Sequence, residues 1–196
     1  MIRIPLVLAL MTGPAFAASG SDPDWPCIQR QQPHLSLGQV WTGPIPDDQV
    51  MALAQGPDII RLAARLEQRR LPMDQAQTQI AEFAKTADQQ HLTALMQAIF
   101  AKIDQDRSML IAGISRYGQA QVALADRVKE RRARFEELQT ADSPDFDAID
   151  AEEEALDWDM RIFTERQKSL TYVCETPVIL EQRAFALGRA IAEHLD

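Results

Sequence analysis

Apolar side chains recur at every third or fourth position through the second half of the chain. Met96, Phe100, Ile103, Leu110, Ile114, Leu124, Val128, Phe135 and Leu138 keep that rhythm, and Arg107, Tyr117, Gln121 and Arg131 fall in the same series. The alternation is the a/d seam of a coiled coil, and no proline interrupts it from Asp88 to Thr140. At about 1.5 Å per residue this helix would be roughly 75 Å long, more than a compact domain of this size can cover. Ala141-Asp142-Ser143-Pro144 breaks it, with Ser143 expected as N-cap and Pro144 at the first helical position. The seam resumes at Ile149, Glu153, Leu156, Met160, Phe163, Gln167, Leu170 and Cys174. Residues 88–174 therefore read as an antiparallel hairpin.

A short turn centred near Ser143 sets the expected register. Leu138 meets Ile149, Val128 meets Met160, Leu124 meets Phe163 and Ile114 meets Cys174. Gln121 and Gln167 then share a layer, where paired amides would penalise slipped registers at some cost in stability. Arg131 and Glu153 fall in adjacent layers and are expected to pair near the tip. The basic run from Arg127 to Arg134 ends the outgoing leg, and the acidic run from Glu152 to Asp159 begins the return. Each sign complements its helix macrodipole, so the two runs should largely satisfy each other.

The first half lacks this regularity. Residues 18–46 are rich in breakers, among them Pro23, Pro26, Pro33, Gly38, Gly43, Pro44 and Pro46, the composition of an extended arm anchored by Trp25 and Trp41. A ligand-stacking role for either tryptophan is the less favoured alternative. Short helices follow over 47–87: one capped by Asp47 or Asp48, one through Ile59, Leu62, Ala63 and Leu66, and one from Asp74. Pro177 is expected to kink or restart the return leg, with Thr176 as cap, leaving a last helix over 177–195. Its stripe of Leu180, Ala184, Leu187, Ile191 and Leu195 should pack on the short helices. Gly113 and Gly118 are expected where the arm's backbone comes close to the long helix. Period-2 alternation is absent, so no strands are expected. The fold class is all-α: a long antiparallel two-helix coiled-coil hairpin packed on several short helices, with an extended N-terminal arm.

Composition changes the picture in three places. Residues 1–17 read as a secretory signal peptide: Arg3, an apolar core from Ile4 to Met11, and small residues at Ala15 and Ala17. That core is too short for a spanning helix, so no stable membrane insertion is expected once the leader is cleaved. Export would place residues 47–196 as a single helical domain, with its arm, in a periplasmic or secreted setting. Cys27 and Cys174 are the only cysteines, and an even count in an oxidising compartment favours a disulfide between them. The leader holds one basic residue and no acidic one, so the net charge of −9 becomes −10 after cleavage. That balance argues against nucleic acid and against anionic lipid as partners.

Motifs for chemistry are sparse. His34, His91 and His194 are far apart in sequence, and no zinc-protease, nucleophile-elbow or phosphate-loop pattern occurs. No catalytic residue, cofactor or metal ligand is assigned, and a non-enzymatic protein is the expectation. The acidic stretch from Asp142 to Asp159 lacks the spacing and glycine of a calcium loop and reads as a solvated helix face rather than a cation site. The leading expectation is an exported interaction, scaffold or chaperone-like protein that engages a protein partner or a second copy through the hairpin tip. Gln139, Asp142, Asp145 and Phe146 are the candidate contacts there. The alternative is a small-ligand or metal-binding protein whose site lies between hairpin base, arm and short helices.

Overall fold

The computed structural model describes residues 25–195. The leader assigned to residues 1–17 and the start of the arm lie outside them. The described chain is all helical: α1 Leu37–Val40, α2 Asp48–Leu53, α3 Pro57–Leu66, α4 Met73–Ala84, α5 Gln89–Gln139 and α6 Phe146–Ala192. Capping chemistry fixes most of the starts. Asp47 accepts from the Val50 N–H at 2.8 Å, Asp88 from His91 N–H at 2.9 Å and Asp145 from Ala148 N–H at 3.2 Å. α3 instead begins with Pro57 at its first position, where a missing N–H costs nothing.

α5 and α6 fold back on each other as the expected hairpin, and their common end is buried under the short helices. Leu66, Ile80, Leu95, Met96, Ile99 and Leu187 are fully enclosed there. The core takes residues from α5 only as far as Leu110 and from α6 only from Leu180 onward. Beyond Leu110 the outgoing leg runs another 29 residues to Gln139, so a finger projects roughly 40 Å from the core. Among the described residues, its lower part carries the arm and its outer part consists of the two legs.

Three local expectations are corrected. Asp145, not Ser143, caps the return leg, because its carboxylate can accept the Ala148 N–H; Pro144 stays in the turn. α6 passes through Pro177 as one helix instead of restarting. Proline inside a helix costs about 3 kcal/mol in isolation, but Cys174, Pro177 and Leu180 are all buried here, and packing on both sides outweighs the local preference. The arm is also not wholly extended: Ser36 N–H donates to Gln39 Oε1 at 2.8 Å and initiates the single turn α1.

One close approach of the arm is made at a glycine outside the expected pair. Among the described residues a Cβ on Gly113 would meet only the end of Arg116, and Gly118 is buried. A Cβ on Gly188 would collide with the Val40 carbonyl oxygen. Glycine at 188 thus lets the last residue of α1 lie directly on α6, beside the buried Trp41. Trp41 Nε1 donates to the Pro44 carbonyl at 2.9 Å, and Trp25 Nε1 to the Gln29 carbonyl at 2.6 Å, so both indoles serve the arm's own structure.

Candidate functional site

The finger's chemistry follows from which side of α6 faces α5. Ile149, Leu156, Phe163 and Leu170 repeat every seven residues and turn inward. Between them the outer part of the seam uses the residue three positions on, Glu152 and Asp159, while Glu153 and Met160 are exposed. Only toward the base does the seam move to the position four on, at Cys174. Gln121 accordingly donates to the Phe163 carbonyl at 2.9 Å and Tyr117 to the Arg166 carbonyl at 2.8 Å. The return leg is thus turned by about one position at its outer seam, which runs through Glu152 and Asp159 in place of the expected Glu153 and Met160. The Gln121–Gln167 pair is not made: Gln121 Oε1 is buried without a partner and Gln167 is exposed.

Arg131 likewise pairs elsewhere than with Glu153. Its Nη1 donates to Glu152 at 3.0 Å and its Nε to Asp159 at 2.9 Å. Arg127 grips the same Asp159 with two bonds, at 2.9 and 3.1 Å. The Arg127 hydrogen bonds foremost, and then those of Arg131, hold the Asp159 carboxyl below its ordinary range despite its burial. A carboxylate occupying a seam position is therefore stabilised by two forked donors. A carboxyl with a lowered folded-state pKa contributes stability above its unfolded value and loses it as pH falls through the folded one. Asp159→Asn should cost about 1–2 kcal/mol at neutral pH, with the deficit closing below about pH 4. Urea denaturation of both proteins from pH 3 to 7 measures this; a deficit constant with pH would rule out the charge as its source.

Outside this network the finger is acidic and carries large exposed apolar side chains. Phe146 is 74 % and Trp158 60 % exposed, and Val122 and Met160 are also in solvent. The tip positions Gln139, Asp142, Asp145 and Phe146 all lie in solvent, with Asp145 engaged as the cap of α6. On the side of α6 away from α5, Ala151, Ala155 and Trp158 line a shallow trough of about 710 Å³. Trp158 was not singled out from sequence. A helical wheel anchored on the seven-residue repeat alone would have placed it opposite the seam.

The arm closes over the finger's lower part. Cys27 and Cys174 are at disulfide distance, with Cα atoms 5.6 Å apart. Asp104 accepts from the Leu35 N–H at 2.7 Å and contacts His34 Nδ1 at 2.9 Å, and Gln31 Nε2 donates to Ser115 at 3.0 Å. Arg107, 5 % exposed, donates to the Gln32 carbonyl. The two histidine–carboxylate contacts thus have local uses: His34 helps seat the arm, and His91 packs on the cap of its own helix.

The space expected between hairpin base, arm and short helices is divided in two. One cleft, about 460 Å³, lies between the end of α3 and the hairpin base, and no described residue of the arm lines it. In it Glu67 faces Asp106, which Lys102 holds at 2.7 and 2.8 Å. Burial foremost pushes the Glu67 carboxyl above its ordinary value, with Asp106 adding to the effect and Lys102 opposing it. The other cleft, about 230 Å³, separates the arm around Cys27 from α6 and touches no short helix. Among the described residues no group of three or more His, Cys, Asp or Glu side chains converges as a metal site. Nor is any described helix long and apolar enough to cross a membrane.

Fold and surface together define a disulfide-tied helical hairpin with an exposed finger. No family model, curated protein or solved structure matches the chain.

Proposed function

We propose that this is an exported, non-enzymatic interaction or scaffold protein whose finger engages another protein. One observation carries the reading: among the described residues the finger's outer legs bury only the seam between them, while Phe146, Trp158, Val122 and Met160 are exposed. Single exposed hydrophobes are ordinary on any surface. Two large aromatics exposed on a thin projection are better accounted for by a partner, since tyrosine and tryptophan anchors dominate interfaces. The apolar leader and the Cys27–Cys174 bridge support an oxidising compartment outside the cytoplasm.

Removing the outer finger tests this. In the variant, residues 125–159 are replaced by a short Gly/Ser turn, which leaves the core, the arm and the bridge intact. Crosslinking in the native cell envelope should yield specific protein adducts with the full chain and none with the shortened one, while the base keeps its helical circular dichroism. An unchanged adduct pattern from the shortened chain would refute the reading. The two basal clefts would then be the place to look, and native mass spectrometry of the mature protein would show a retained small molecule.

A further inference from the structure

The outer face of α6 has a pattern of its own. Ala151, Ala155 and Trp158 stand at i, i+4 and i+7 and form one row; Asp150, Glu153, Glu154 and Asp157 form a second row along one flank of it. Among the described residues none of these four carboxylates makes an ion pair, because Arg127, Arg131 and Arg134 are turned to Glu152 and Asp159. Arg161, at its lower end, is the only cation among the described residues on this face. Two alanines leave the helix surface low beside an indole, so a second helix can approach closely with a large apolar side chain against Trp158.

We infer that this face receives an amphipathic, cationic helical segment of a partner protein, its apolar stripe on Trp158 and its Lys/Arg row against the four carboxylates. The inference rests on the interaction reading above and specifies its partner. Charge decides between occupants. Anionic lipid and nucleic acid are repelled by the carboxylate row. A second copy is disfavoured as well: two such faces would set carboxylates against each other, and the exposed α5 surface mixes Lys129 and Arg132 with Asp126, Glu130, Glu136 and Glu137. A cationic row beside an apolar one is the complementary surface, and such a helix laid on a groove is a common recognition mode.

The test uses the full mature protein and a fluorescent helical peptide with a Leu stripe beside a Lys row, read by anisotropy at low and physiological salt. A peptide with Glu in place of Lys is the control. Binding should be confined to the cationic peptide. Trp158→Ala should weaken it at least tenfold, and the combined Asp150→Asn, Glu153→Gln, Glu154→Gln and Asp157→Asn variant should also weaken it and flatten its salt dependence. Equal binding by Trp158→Ala would mean unspecific attraction to an acidic protein and would overturn the inference. So would equal binding of the acidic peptide, or a dimer of the protein that Trp158→Ala dissociates in sedimentation. Cell-envelope crosslinking separates the two proposals. Adducts lost on finger removal but kept in both α6 variants would leave the interaction reading standing and remove this one; adducts indifferent to both changes would remove both.

Discussion

Replacing Cys27 and Cys174 together by serine should lower the free energy of unfolding by roughly 5 kcal/mol, the largest single effect expected in this protein. The bridge spans 147 residues of sequence, so it removes a large share of the unfolded chain's freedom. The chain-entropy relation puts the contribution of a loop of that size near 5 kcal/mol, the upper end of what native disulfides provide. Apart from the buried Leu35 side chain, what else holds the arm near this point is polar and dispersed: Gln31 on Ser115, Asp104 on the Leu35 N–H, and Arg107 on the Gln32 carbonyl. Net hydrogen bonds of that kind contribute about 1 kcal/mol each. Ile28, next to the bridge, is fully exposed and adds no apolar burial. The segment around Cys27 should therefore loosen first, with amide exchange rising at Gln29 before it rises around Val40, where the arm lies on Gly188. Guanidinium denaturation of the oxidised protein and the double serine variant gives the difference directly. A loss below about 1 kcal/mol would show that the arm's docking already constrains the reduced chain.

Arg183→Met should be the most damaging change to the base after loss of the bridge, at about 3 kcal/mol. Arg183 is 9 % exposed, and its Nε and Nη2 both donate to the Leu66 carbonyl, at 2.8 and 2.6 Å. That oxygen belongs to the last residue of α3 and has no partner within its own helix. The guanidinium thus closes the helix from 117 residues away in sequence. Methionine preserves much of the volume but leaves a carbonyl oxygen buried and unsatisfied, the expensive half of losing a hydrogen bond. Burial pulls the Arg183 pKa down and the nearby Glu67 charge opposes this, so the cation bears a desolvation cost. Arg183→Lys should recover part of the loss, since one ammonium cannot reproduce the fork. Urea denaturation, with amide exchange at the end of α3 as the local reading, decides it. If Arg183→Met proved neutral or stabilising, the desolvation cost would be shown to cancel the two bonds.

The hairpin's existence was legible in the sequence because its signal is long. Fifty residues of three-four spacing without proline admit few structures other than an extended helix, and an apolar stripe that reappears beyond a Ser-Pro turn has to be buried against something. The cap at Asp47, with Asp48 as its alternative, was legible for a similar reason, since a short carboxylate before a helical run satisfies free N–H groups wherever it occurs. The register was not. Asp159 and Met160 are adjacent, and hydrophobicity assigns the seam to methionine. The fold assigns it to aspartate, because Arg127 and Arg131 reach across from the other leg and only a carboxylate answers both. Exposing Met160 costs less than leaving two arginines facing the seam without an acceptor. That preference depends on which residues lie opposite, and the spacing within one helix does not contain it.

The exposure of Trp158 was legible in the same spacing. At about 100° per residue a seam through Ile149, Glu153, Leu156 and Met160 sets this tryptophan on the opposite side of the helix. Moving the seam to Glu152 and Asp159 rotates the helix but still leaves it well away from α5, in solvent beside a row of acids. The sequence by itself determined the all-helical class, the hairpin, the cysteine pairing and the acidic balance, each the product of local spacing or plain counting. The tertiary structure alone decided the register, the passage of α6 through Pro177, the contact of Gly188 with the arm and the capping of α3 by Arg183. Those depend on atoms that are distant along the chain and meet only when it folds, so their energies cannot be read from any one segment.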